Sequence, residues 1–264
     1  MTDFGTIDIS LTSMSSRMGS LGRTLRSLLD QSYGDVRIHL YLSREPYLLD
    51  EGVPEVPDDI ARLEKASGGR LRIDYCPNWG PYRKLLPFLR AHWGQSRLVV
   101  TVDDDTIYPA DWLQGLVTAY DTYRCVIGYR GHRFHVNGGT IMPYRSWMRT
   151  RIEDNPSPLI LPTGKDGILY NTAFFPVNVL NIADALLIAP TVDDLWFRWH
   201  LSMNRIAVNL INLDYGSGTF EEADYDSSLY LNFNRSGGND VAVGKLHTYF
   251  VEKFGFDITG LANA

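Results

Sequence analysis

The run Leu98-Val99-Val100-Thr101-Val102 is almost continuously apolar and leads straight into Asp103-Asp104-Asp105. A short, β-branched run of this kind reads as a strand buried on both faces, the form that parallel sheets require. Three adjacent carboxylates repel one another, so a strand that ends on them needs opposing charge close by. In an open α/β sheet, ligands bind outside the carboxyl ends of the strands, and the trio falls at such an end.

Upstream, strand and helix periods alternate. Ile7, Ile9 and Leu11 recur every second residue, and Ser20 is placed to cap a helix that carries Leu21, Leu25, Leu28 and Leu29 on one face. Val36, Ile38, Leu40 and Leu42 give a second strand. Pro57-Asp58-Asp59 opens a helix with Ile60, Leu63 and Ala66 inward, and Gly68-Gly69 closes it. Leu71 to Tyr75 is a third strand, and a helix is expected over about 82–93 with Leu85, Leu86 and Leu89 buried. This alternation predicts an α/β sheet with right-handed crossovers. Beyond Asp121 the texture changes to short strand-like pieces at 125–129 and 133–136, broken by Gly131, Gly138 and Gly139. Residues 155–167 read as a long functional loop, followed by helices over about 192–204 and 240–254. No segment repeats at a 20–50-residue period, which argues against a solenoid.

Composition narrows the class. The 264 residues carry 25 Lys+Arg against 31 Asp+Glu, a net charge of −6, and 44% are hydrophobic, as in ordinary globular chains. The basic residues read as scattered, with no footprint for nucleic acid. There is no apolar run of membrane-spanning length, and Met1-Thr2-Asp3-Phe4 does not read as a signal start. Two cysteines, Cys76 and Cys125, make neither a disulfide framework nor a CxxC knuckle. The expectation is a cytoplasmic chain, with peripheral association at the inner face of a membrane left open.

Two readings of the trio stand side by side. Asp103 and Asp105, as alternate residues, can turn toward one hard cation, Mg²⁺ or Mn²⁺, that carries phosphate oxygens. Equally, an acidic turn can cap the helix that Pro109-Ala110-Asp111-Trp112 begins. Neither Gly164-Lys165 nor Gly244-Lys245 completes a Walker phosphate loop, and GxGxxG, GxSxG and HExxH are missing. A Mg²⁺ phosphohydrolase with Asp103 as nucleophile fits poorly, because Ile107 stands where DxDx[TV] needs Thr or Val. It remains an alternative, as does a nucleotide- or glycan-binding module with a decayed site.

Val99 to Leu113 resembles the DxD region of GT-A-type nucleotide-sugar glycosyltransferases, in particular the family 2-like enzymes of surface-polysaccharide biosynthesis. Ile9-Ser10-Leu11-Thr12-Ser13, with Arg17 and the helix ending Ser27 to Ser32, resembles that group's opening. Tyr82-Arg83-Lys84-Leu85-Leu86-Pro87 is similar to its "YKKLIPAL" helix start. Pro162 to Tyr170 resembles its "P-x-G-x-G-G-x-L-Y-P-P" loop, and Pro190 to Phe197 its "aDDiWF" helix. The loop departs at Asp166, which replaces the second glycine, and at Asn171-Thr172, which replace the prolines.

The resemblance implies a GT-A (Rossmann-like) three-layer α/β/α fold with a mixed, mostly parallel sheet. It implies a single domain over 1–264, with a nucleotide-sugar-binding half at 1–120 and an acceptor-binding half at 121–264. The implied activity is metal-dependent transfer of a sugar from a nucleoside-diphosphate sugar to a glycan or lipid-linked glycan, with inversion. Asp105 and Asp103 are the implied ligands of Mn²⁺ or Mg²⁺. Thr12, Ser13, Arg17, Lys84, Asp103 and Asp104 would hold the nucleotide sugar. Asp194 is the expected base, with Asp193 as second choice; the bland reading of both is acids at a helix N-terminus. Gly164, Gly167, Tyr170 and Trp196 are the expected donor and acceptor wall, with His247 or Asp240 considered as a third metal ligand. Glu221 to Asp226 reads as a solvated acidic loop.

Overall fold

A computed structural model describes residues 2, 4–214, 220–222 and 230–263. Four parallel strands build the front of the sheet: β1 (Ile7–Thr12), β2 (Val36–Leu42), β3 (Leu71–Tyr75) and β4 (Leu98–Thr101). Helices α1 (Met18–Leu29), α2 (Asp58–Ala66) and α3 (Leu86–Ala91) connect them, and α4 (Trp112–Tyr123) follows the aspartates. The alternating pattern therefore folds as its periods predict. Ser20 is the exception: α1 starts at Met18, and Ser20 lies in its first turn, donating to the Arg17 carbonyl at 3.1 Å.

The second half supplies β5 (Val126–Gly128) and four short strands, β6 (Gly131–Arg133), β7 (Val136–Asn137), β8 (Thr140–Ile141) and β9 (Ile160–Pro162). The short ones pair outside the main sheet, β6 with β9 and β7 with β8. After α5 (Tyr144–Trp147) come β10 (Ile168–Asn171), α6 (Ile182–Ile188), α7 (Asp193–Met203), β11 (Val208–Leu210) and α8 (Asn239–Phe254). The seven-stranded order is β11-β5-β10-β4-β1-β2-β3, with β10 antiparallel to both of its neighbours. This is the mixed, mostly parallel α/β sheet that the resemblance implies.

Two apolar layers clamp the sheet. Val100 faces the layer of Leu21, Leu25, Leu113 and Leu116, while its neighbour Val99 faces that of Leu85, Leu89, Trp196 and Phe250. Each fully buried side chain of this size contributes about 1.5–3 kcal/mol, so β4 is among the most firmly held segments. Its end, where the aspartates stand, is correspondingly fixed.

The expected 155–167 loop is not wholly irregular. It contains β9, and the residues after it form β10, at the centre of the sheet. At the join, Asp166 adopts φ +70° and Gly167 φ +99°. Asp166 thus takes the left-handed backbone a glycine would adopt freely. Its buried carboxylate pairs with Arg130 at 2.9 Å and accepts the Phe220 N–H at 3.2 Å, which offsets the cost. The Asp166 carbonyl also accepts the Trp112 indole N–H at 2.7 Å. The substitution of the family's glycine therefore preserves the turn.

At Gly167 a Cβ would sit 2.4 Å from Trp112 Cζ2, in a backbone conformation that disfavours side chains. Gly167→Ala is expected to destabilise the fold by about 3 kcal/mol or more. Urea denaturation followed by tryptophan fluorescence measures this; an unchanged midpoint would show that the turn relaxes freely.

Candidate active site

A cavity of about 560 Å³ opens at the carboxyl ends of β1 and β4. It is lined by Thr12, Ser13, Arg17, Lys84, the aspartate trio, Gly164, Asp193 and Asp194, which the sequence places far apart. Gly167, Tyr170 and Trp196 do not line it.

The trio is held individually. Asp104 accepts from Ser13 Oγ at 2.5 Å and from Arg17 Nη1, and its carbonyl accepts from Thr24 Oγ1 at 2.9 Å. Asp105 lies 3.0 Å from the same Arg17 nitrogen. Asp103 pairs with the Lys84 ammonium, while its backbone N–H donates to the Tyr108 hydroxyl at 3.0 Å. Three acids therefore face two cations. Burial works against the charge of Arg17, but Asp104 and Asp105 outweigh it and hold its pKa up. Burial, then Asp103 and Asp104, push Asp105 up to about 7, leaving it as the surplus carboxylate.

Across the cavity, α7 begins at Asp193 and Asp194. The Gly164 N–H donates to Asp194 Oδ2 at 2.9 Å, fixing that carboxylate against the loop after β9. A Cβ on Gly164 would lie 2.9 Å from Lys84 Nζ and 3.4 Å from both Asp103 Oδ1 and Asp194 Oδ2. Lys84 therefore sits where both acid groups converge, and a glycine is what leaves them room. Burial disfavours the ammonium, yet Asp103, Asp193 and Asp194 together hold its pKa well above the ordinary value. Asp194 is raised by burial and by Asp103, against the pull of Lys84. Burial, with Asp194 and Asp103, raises Asp193 to about 8, and its Oδ2 has no hydrogen-bond partner.

Several expectations are corrected. Trp196 is fully buried, donating its indole N–H to the Val179 carbonyl at 3.0 Å, so it cannot stack on a saccharide. Tyr170 is 2% exposed and packs on Phe175 in the core, because β10 continues through it. Gly167 backs onto Trp112 instead of the cavity. Lys84 closes a 3₁₀ turn over Gly80–Lys84, ahead of α3, where one helix over about 82–93 was expected. The Thr12 hydroxyl is used within the fold, donating to the Tyr41 carbonyl at 2.8 Å. His247 lies off the cavity, 4.0 Å from Asp257, and Asp240 Oδ1 instead accepts the Tyr144 N–H at 2.6 Å.

The wall also takes in residues outside the expected site set. Buried Asp50 pairs with Arg83 at 2.8 Å, and Arg83 also donates to the Ser13 carbonyl at 3.2 Å, bracing the loop after β1. Glu222 pairs with Lys165 at the rim, where an acidic run predicted only a solvated loop; residues 223–226 of that run lie outside the described ones. Tyr144, His132 and Asn239 also border the cavity.

Among the described residues no three His, Cys, Asp or Glu side chains form a metal cage. Mg²⁺ does not need one, since it is typically held by one or two carboxylates together with substrate phosphates and water. Asp103 and Asp105 are hard oxygen donors on the cavity wall, and the excess of acid over cation is what a divalent ion would relieve. The donor set fits.

With fold and site in view, comparison with known proteins places the chain. Residues 17–176 match the family model for Glycosyl transferase family 2, and the chain belongs to that family. The class is thus a glycosyltransferase of GT-A fold, as the resemblance implied. No curated protein matches the chain. Among solved structures, S. aureus TarS 1-349 in complex with UDP-GlcNAc aligns with a TM-score of 0.52 and 13% identity, over 93% of this chain and 72% of that one. Its complex with UDP gives 0.50 at the same identity and coverage. The 4-diphosphocytidyl-2C-methyl-D-erythritolsynthase from Anaerococcus prevotii DSM 20548 aligns at 0.50 and 15% identity, over 83% of this chain and 91% of that one. At such identities the likeness is one of fold.

Asp193 gives a pH prediction. Its carboxyl titrates near 3.8 when unfolded and near 8 when folded, so the folded chain binds the extra proton between those values. Stability from this group is therefore complete below about pH 4 and is lost as pH rises toward 8, by up to about 1.4 kcal/mol per pH unit. Asp193→Asn is expected to melt above the wild type at pH 8, with the gap narrowing toward pH 4. A gap independent of pH would contradict the assignment.

Proposed function

We propose that this chain transfers a sugar from a nucleoside-diphosphate sugar to a glycan or lipid-linked glycan acceptor, with inversion, using Mn²⁺ or Mg²⁺. The observation that carries the reading is the meeting of both acid groups around Lys84 in one cavity. A displacement at an anomeric carbon needs stabilised negative charge on one side and proton acceptance on the other.

On the donor side, Asp105 and Asp103 would hold the cation. When bound, it would neutralise charge developing on the departing diphosphate. Arg17 pairs with Asp104 and Asp105 and Lys84 with Asp103, and Ser13 ties Asp104 to the end of β1. The donor class is supported by the family and by the UDP-GlcNAc complex of TarS. We further propose that residues 1–120 serve the donor and 121–264 the acceptor, in the cytoplasm or at the inner face of its membrane. No helix among the described residues is long and apolar enough to cross a membrane.

Asp194 is proposed as the base. The Gly164 amide orients its Oδ2, and burial raises its proton affinity, which suits a group that must take a proton near neutral pH. Attack from the face opposite the leaving diphosphate then gives inversion in a single displacement.

Two variants test this. Asp105→Ala is expected to lose Mn²⁺-stimulated turnover of a sugar nucleotide by at least about 100-fold. Near-normal rates at saturating Mn²⁺ would reject the ligand role. Asp194→Asn is expected to bind UDP normally while transfer falls by about 10²–10⁴-fold. Loss confined to Asp193→Asn would move the base by one residue.

A further inference from the structure

Between Asp121 and Glu153 the chain contains no acidic residue, yet it carries six arginines in a protein of net charge −6. Two of them, Arg145 and Arg149, are four residues apart. Arg145 and Arg149 line a groove of about 400 Å³ with His135, Ser146 and Thr150. Both arginines are exposed, and no ion pair with a described residue forms at either. The groove shares a helix with the cavity. Tyr144 and Met148 of the α5 segment face the cavity, while Arg145 and Arg149, each the next residue along, face the groove.

Among the described residues, no acidic one lines the groove. Asp240 caps the Tyr144 N–H at 2.6 Å, and Asp154 stands 3.6 Å from Arg133. Glu153 is exposed on the segment that leaves α5. The groove therefore presents two guanidinium forks, whose planar donors match phosphate or carboxylate oxygens. It is linked to the cavity through the α5 segment and includes none of the residues of the aspartate trio or of the loop after β1.

We infer that the acceptor is an anionic saccharide, bearing a phosphate or carboxylate that docks on Arg145 and Arg149 while its hydroxyl reaches Asp194. This rests on the glycosyltransferase reading above and names its acceptor class. Neutral glycans would gain nothing from the groove. An anionic one is both steered to the cavity mouth and held in register there.

The test uses an array of paired glycans, identical except for a phosphate or a uronic carboxylate, probed with the full chain in 50 mM salt. Binding at least about tenfold tighter to the charged member of some pair is expected, and Arg145→Gln/Arg149→Gln should abolish that preference. UDP-dependent thermal stabilisation should be unchanged in the variant, since neither arginine borders the donor side. Equal binding to charged and neutral members overturns the proposal, as does a preference that survives the double substitution. Arginine-dependent binding to phosphatidylglycerol vesicles without any glycan preference also overturns it, making the groove a membrane contact. Absence of UDP stabilisation in the wild type would instead strike the glycosyltransferase reading itself.

Discussion

The ammonium of Lys84 stands among carboxylates from two distant parts of the chain, paired with Asp103 and flanked by Asp193 and Asp194. Burial and mutual repulsion raise the proton affinity of Asp193 and Asp194, and the ammonium opposes that rise at both. Gly164 leaves room beside it, since a Cβ there would lie 2.9 Å from Nζ and the ammonium would have to shift. One cation and one missing Cβ thus lie where the two halves of the site meet.

What delivers Gly164 to that point is the reversal of β10. Because β10 runs antiparallel to β4, the turn that feeds it lies at the same sheet end as the aspartates. Asp166 shapes that turn through its ion pair with Arg130 and its bond to Phe220. Trp112 then locks the turn to α4, the helix that follows the trio. The acidic strand end and the loop facing it are tied to the same scaffold, which suits a site needing fixed charges.

Much of the front half was legible in the sequence because its signals are local. The period-two strands, the apolar helix faces and the Gly68-Gly69 stop each depend on neighbouring residues, and the trio's position followed from β4 alone. The second half was harder to read. β10 spans four residues and β11 three, too short for a period to show, and Ile168 to Asn171 lay inside a motif that reads as loop. Side-chain direction was the other limit. Trp196 and Asp194 share one helix and one motif, yet one faces the core and the other the cavity, which only the packing of α7 decides. The Asp50–Arg83 pair had no signal at all, being a contact between loops far apart in sequence.

Anomalous diffraction from crystals grown with UDP and Mn²⁺ bears most directly on the account. A single strong manganese peak is expected beside Asp103 and Asp105, with the diphosphate reaching it and Lys84 still next to Asp103. A diphosphate lodged away from this cavity, with Asp103 still bound only to Lys84 and Asp105 only to Arg17, would contradict it.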